Sequence, residues 1–279
     1  MRWFTMCVDG VWIAGLAAVL AGCSTKGDDA AGMTEGPVDS VALALISDPV
    51  TYCSGTGRNV IVGTQGNDTL VGTPDADCIV GLGGNDTVSG EGGDDIIFLG
   101  GGDDTGAGDS LSGEASTDGN DIVIGGDGND TITGGAGRDL LIGGAGADSI
   151  SGGEGNDRLF GDDGNDFLFG NGGDDLISGG NGDDGGAGGP GNDYVSGDDG
   201  ADTFNNQSYD SPDDGDDVLV GGPGPDMLID CVGNNTFEGG DPTIDPNADP
   251  DIPLRPSDSC RHVPGAVLVN CEEDLACNE

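Results

Sequence analysis

Carboxylates recur along this chain at a fixed interval. Asp68, Asp77, Asp86, Asp95 and Asp104 are nine residues apart, and a second run keeps the beat through Asp121, Asp130, Asp139, Asp148, Asp157, Asp166, Asp175, Asp184, Asp193 and Asp202. It resumes at Asp217 and Asp226, with Asn235 in the next place. A chain that returns on itself at a multiple of that interval stacks these oxygens in rows. Rows of hard oxygen donors, with no imidazole or thiolate among them, suit Ca2+ and not zinc or copper.

The residues between the aspartates say how the chain would position them. Each unit reads Gly-Gly-x-Gly-x-Asp-x-apolar-x, and the cleanest copies run without a break from 125 to 160: GGDGNDTIT, GGAGRDLLI, GGAGADSIS and GGEGNDRLF. A repeat of this kind fixes the architecture before any local reading. Glycines at the first, second and fourth places permit positive φ and tight turns. The last three residues are long enough only for a minimal strand, whose central side chain points to one face. Those central residues are Leu70, Ile79, Val88, Ile97, Val123, Ile132, Leu141, Ile150, Leu159, Leu168, Ile177, Val195, Phe204, Leu219, Leu228 and Phe237. They form a thin apolar spine.

A turn–strand–turn–strand path closes after two units, so one coil takes eighteen residues and each turn lies beside the turn two units along. Successive strands are then parallel in each of two sheets. Carboxylates such as Asp130 and Asp148 are expected to face each other across a narrow gap, which calls for a cation between them. The fold class is therefore all-β, a parallel β-roll (a two-sheet β-solenoid), followed by a loop-rich tail bearing disulfides.

The repeat resembles the calcium-binding nonapeptide of the repeats-in-toxin (hemolysin-type) family. That resemblance implies a parallel β-roll holding several Ca2+ ions between its turns, with the aspartates above as ligands. Some units depart from the pattern. Gly106 and Gly186 stand at the apolar place, so the spine is expected to be interrupted there, and the turn from Gly72 to Asp77 lacks its inner glycines. The stretches 106–119 and 206–214 break register and read as loops or bulges in the roll. The block from Asp121 to Asp202 is where full occupancy is expected.

Composition agrees. There are 59 glycines and 13 prolines, the formal net charge is −46, and aromatics make up 4%. Without the period, these figures describe a disordered chain. With it, they describe a chain whose self-repulsion is large until its charge is neutralised, so that metal binding contributes the folding free energy. The charge argues against nucleic acid as a partner.

The N-terminus carries a targeting signature. Arg2 is followed by an apolar run from Val11 to Gly22 and then Leu20-Ala21-Gly22-Cys23, which resembles a bacterial lipoprotein lipobox. The resemblance implies cleavage after residue 22, lipidation of Cys23 and export to the cell envelope, with Ser24 favouring the outer membrane. The run is too short to span a bilayer as a helix. The expected organisation is a signal peptide (1–22), a lipidated tether (23–52), a calcium-binding roll (53–240) and a cysteine-bearing cap (241–279).

Six cysteines remain beyond Cys23 in that organisation: Cys53, Cys78, Cys231, Cys260, Cys271 and Cys277. An even number in an exported chain reads as disulfides. Two flank the start of the roll and four its end, where a solenoid must seal itself; Cys53–Cys78 is the expected N-terminal staple, beside a strand at Val60 to Val62.

Catalysis finds little support. A single histidine, His262, excludes an HExxH site, and the string Gly108-Asp109-Ser110-Leu111 is better read as a repeat junction than as a hydrolase motif. The reading is a non-enzymatic, Ca2+-binding envelope lipoprotein acting as a structural or adhesive element, with a cell surface or a glycan as its unknown partner. The competing readings are a surface calcium buffer or sensor, and a remnant or accessory of a repeats-in-toxin enzyme.

Overall fold

Short strands and glycine turns alternate along most of the chain and stack into two parallel sheets. The computed structural model describes residues 4–8, 11–15, 48–111, 119–205, 215–229, 236–238, 259–261 and 267–269. The chain divides into two units, Met1–Asp48 and Pro49–Glu279. In the first, strands Phe4–Val8 and Val11–Gly15 pair antiparallel. Cys23 lies outside the described residues. No described helix is long and apolar enough to cross a membrane.

The second unit is the roll. One sheet has eleven strands, opening with Asn59–Val62, Asp77–Val80 and Ile96–Gly101; the other has ten, opening with Thr69–Val71, Thr87–Ser89 and Thr105–Ala107. Neighbours within a sheet alternate with strands of the other in chain order, the signature of a coil that visits each sheet once per turn. Pairing is parallel and in register, as Ile132 opposite Ile150 and Leu141 opposite Leu159 show. The expected breaks do not shift it. Ile97 lies opposite Val123, and Val195 opposite Leu219, so the ladder resumes on the same beat beyond each break.

The spine is where the spacing places it: fourteen of the sixteen residues, Ile79 to Leu228, are fully buried or nearly so in one continuous cluster, with Leu70 partly buried at its N-terminal end. The side chain of Phe237 lies outside the described residues. One expectation is corrected. The spine is not interrupted at Gly106, because Leu99, at the first place of the same unit, is fully buried and its branched end occupies the space a side chain at Gly106 would need. An aliphatic residue has moved from one side of the coil to the other. Gly186 has no such substitute; a side chain there would collide with the Leu168 carbonyl, and its φ is +153°.

The N-terminal end is sealed by a helix, α1 (Pro49–Thr56). Asp48 and Pro49 are residue types favoured at the N-cap and first helical positions. Gly57 ends the helix with φ +77°, the usual left-handed terminator. Cys53, buried on this helix, forms the expected disulfide with Cys78, with Cα atoms 5.5 Å apart. Tyr52 packs edge-on against Phe98, ring centroids 5.9 Å apart. The helix thus crosses the boundary expected at residue 52. At the other end the tail is more than loop, since Ser259–Arg261 and Val267–Val269 each add a parallel strand to the end of one sheet. The side chains of Cys231, Cys260, Cys271 and Cys277, and hence their pairing, lie outside the described residues.

Candidate metal centres along the turns

Strand pairing puts the aspartates of the beat at the end of a turn, directly before a strand or, at Asp77, as its first residue. Two rows result. Asp77, Asp95, Asp121, Asp139, Asp157, Asp175, Asp193 and Asp217 run along one edge of the roll. Asp68, Asp86, Asp104, Asp130, Asp148, Asp166, Asp184, Asp202 and Asp226 run along the other. Every one from Asp77 onward is buried; Asp68, in the first coil, is half-buried.

The carboxylates do not face one another, as the spacing alone suggested. They are stepped. The main-chain N–H of Asp130 donates to Oδ1 of Asp148 at 2.7 Å, and the N–H of Asp148 donates to Oδ1 of Asp166 at 2.8 Å. The same bond links each aspartate to the next in both rows, so each carboxylate is held by an amide one coil back. This satisfies one oxygen. The other, Oδ2, is buried with no hydrogen-bond partner at Asp86, at Asp95, at each aspartate of the beat from Asp104 to Asp184, and at Asp202 and Asp226. A carboxylate oxygen buried without a donor is costly, and here the deficit repeats coil after coil.

The turn glycines make room for that oxygen. At the first place of a unit, a side chain on Gly125, Gly143 or Gly161 would overlap Oδ2 of Asp130, Asp148 or Asp166. At the fourth place the requirement is conformational as well: Gly128 has φ +138°, and a Cβ there would collide with the carbonyl of Gly102 one coil back. The carbonyls of Gly128, Gly146 and Gly164 stand in the same relation to the glycine that follows them by one coil. Most turns from Asp86 onward therefore offer an undonated carboxylate oxygen and a run of carbonyls, without nitrogen or sulfur. That donor set fits Ca2+. Among the described residues no three His, Cys, Asp or Glu side chains gather into a discrete centre, as expected where each turn supplies one carboxylate and the rest is backbone.

The electrostatics point the same way. Burial pushes Asp121, Asp139 and Asp175 up to about 8, opposed by the amide bond from the neighbouring aspartate and reinforced by nearby carboxylates. Asp130, Asp95 and Asp202 are raised to about 7, and Asp148, Asp157 and Asp184 to about 6, again chiefly by burial. A protein that draws its carboxylates out of water in a row needs a counter-charge within the row.

Two features escaped the sequence reading. A second, exposed ladder runs outside the first: the N–H of Ala147 donates to Oδ1 of Asn129 at 2.8 Å, and that of Asn192 to Oδ1 of Asp174 at 2.9 Å. The Asn or Asp that fills the fifth place of most units was its signal. The first two turns also differ. At Asp68 and Asp77, Oδ2 accepts hydrogen bonds from both the main-chain N–H and the hydroxyl of Thr64 and Thr73 respectively.

Comparison with known families settles the repeat. The model of the RTX calcium-binding nonapeptide repeat matches residues 54–88, 71–106, 116–150, 151–185, 187–206 and 212–241. The chain belongs to the RTX calcium-binding repeat family. RTX nonapeptide repeats bind calcium, and the ladders of undonated carboxylate oxygens are consistent with it. No curated protein matches the chain. The RTX match stops at each register break, at 106 and at 206, and resumes beyond it, at 116 and at 212, in keeping with the continuity of the sheets on either side.

Proposed function

We propose that this RTX chain is a non-enzymatic, lipid-anchored protein of the cell envelope, whose roll becomes a rigid rod when Ca2+ fills its turns. The observation that carries the reading is the repeated buried Oδ2 without a donor. One such oxygen is a local cost; a row of them along each edge is a fold completed by cations. The ions would be held by the aspartates from Asp86 to Asp226 together with turn carbonyls. What the ion supplies is charge compensation inside the turn, and the amide-to-Oδ1 ladder keeps each carboxylate aimed while it does so.

The location follows from the lipobox-like Leu20-Ala21-Gly22-Cys23. Attachment at Cys23 by more than one acyl chain would be stable. In an external medium, where the sites need affinities of only roughly 10⁻⁴ to 10⁻³ M, the chain would fold after export. A regular, extended body suits a spacer or adhesive element that works only where Ca2+ is plentiful. The test is to express the full chain and a Cys23→Ala variant, follow incorporation of labelled palmitate, and score cell attachment in Ca2+ and in chelator. Lipidation lost with Cys23→Ala and attachment that requires Ca2+ support the reading. Unchanged membrane retention of the variant would overturn the anchor, and Ca2+ uptake without attachment would favour a buffer.

A further inference from the structure

The first two turns of the roll are built differently from the rest. In most turns from Leu82 onward the second and fourth places take left-handed backbone, as at Leu82 (φ +84°) with Gly84 (+105°), Glu91 (+81°) with Gly93 (+89°), and Gly222 with Gly224. No residue from 58 to 81 does so. There the second place is Thr64 or Thr73, and the threonine folds the turn around its own side chain. The Thr64 hydroxyl donates to Oδ2 of Asp68 at 2.9 Å and accepts from the Gly66 N–H at 3.2 Å, while the Thr64 N–H donates to the same Oδ2 at 2.6 Å. Thr73 repeats this at Asp77, with 2.9 Å from its hydroxyl and 2.5 Å from its N–H. Asp77 is completed by Asn59, whose Nδ2 donates to Oδ1 at 2.5 Å. Asn59 itself stands on the nine-residue beat, a neutral residue where an aspartate would otherwise begin the row.

The oxygen that lacks a donor farther along is thus already satisfied here by neutral groups within the turn. The same segment is the one cross-linked by Cys53–Cys78 and covered by α1. We infer that the N-terminal end, from α1 through the strand Asp77–Val80, is a Ca2+-independent template: Thr64 and Thr73 close its two turns in place of an ion, and the Ca2+-filled coils assemble onto it. Asp68 and Asp77 then hold the turn and take no ion of their own. Folding of the remaining coils starts from an edge strand already in place, which removes the need to nucleate a parallel sheet from disordered chain, the costly step for long-range pairing.

The experiment is hydrogen–deuterium exchange by mass spectrometry on the full chain, disulfides intact, in chelator and then in millimolar Ca2+. In chelator, amides of the strands Asn59–Val62 and Asp77–Val80 should exchange at least about tenfold more slowly than those from 122 to 229; Ca2+ should then protect the rest. Uniform exchange in chelator would overturn the inference. A Thr64→Val, Thr73→Val double variant removes the hydroxyls and keeps the branched side chains. It should lose the chelator-state protection and regain it nowhere but in the Ca2+-loaded roll, with a higher Ca2+ midpoint. Should that variant stay protected in chelator, while a Cys53→Ser, Cys78→Ser variant does not, the disulfide alone makes the cap and the role given to the threonines is wrong. Protection beyond Asp86 on adding Ca2+ checks the calcium reading separately, so the two can fail independently.

Discussion

Replacing one aspartate in mid-ladder by asparagine should act in opposite directions on the two states of the roll. Asp148 is a suitable site: it is buried, its Oδ1 accepts the Asp130 N–H at 2.7 Å, and its Oδ2 has no donor. Asparagine keeps the shape and an oxygen to accept that bond, and removes the charge. Burial raises Asp148 from 3.8 to about 6, so at pH 7.5 its ionisation opposes the cation-free fold by on the order of 3 kcal/mol, which solvent at the rim of the turn screens to about 2 kcal/mol. Asp148→Asn should therefore stabilise the cation-free roll by up to about 2 kcal/mol. With Ca2+ the sign reverses, because a charged ligand is lost, and the midpoint of the Ca2+ titration should rise by about tenfold. Urea denaturation followed by circular dichroism measures both, with an excluded osmolyte in the chelator sample to bring the cation-free roll into range. If the variant were destabilised equally in chelator and in Ca2+, Asp148 would be a packing residue and the reasoning would be refuted.

Further expectations follow from the same geometry. Without Ca2+, acid should promote folding: Asp121, Asp139 and Asp175 titrate near 8 in the roll and near 3.8 outside it, so the folded state binds more protons. Lowering the pH from 8 towards 4 then stabilises the cation-free roll by up to about 1.4 kcal/mol per unit for each group titrating, while apparent Ca2+ affinity falls. Melts in chelator across that range check the sign, and a roll that loosens on acidification would contradict it. Gly128→Ala places a Cβ against the Gly102 carbonyl at φ +138° and should cost at least about 2 kcal/mol in the Ca2+-loaded melt. Gly55→Ala, in α1 with nothing within 4 Å, should be neutral or gain up to about 1 kcal/mol. Leu99→Ala should empty the space beneath Gly106 and cost about 2–5 kcal/mol, although no repeat pattern marks that residue as core.

Period made most of this legible. With one apolar residue per nine and strands of minimal length, only an eighteen-residue coil buries Ile132 against Ile150 and keeps both sheets parallel, so the class of fold and the placing of the aspartates follow together. Period cannot report what a side chain does within the coil. Leu99 sits at a glycine place and reads as an error until the space beside Gly106 is seen. Thr64 and Thr73 stand at glycine places of the repeat, yet they close the turns that precede the left-handed ones. The step between carboxylates was hidden as well, because the amide that separates Asp130 from Asp148 belongs to the backbone, on which sequence is silent. The tail strands Ser259–Arg261 and Val267–Val269 carry no nonapeptide; they pair through main-chain bonds, which an aperiodic sequence does not advertise.

The most direct test of a cation-completed roll is far-ultraviolet circular dichroism of the disulfide-intact chain during a Ca2+ titration, with Mg2+ in parallel. Ca2+ alone should bring a cooperative gain of β signal, because turn cages of many oxygens fit its flexible coordination and not the strict octahedron of Mg2+. A β signal already complete in chelator at neutral pH, or one that Mg2+ restores equally well, would contradict the account.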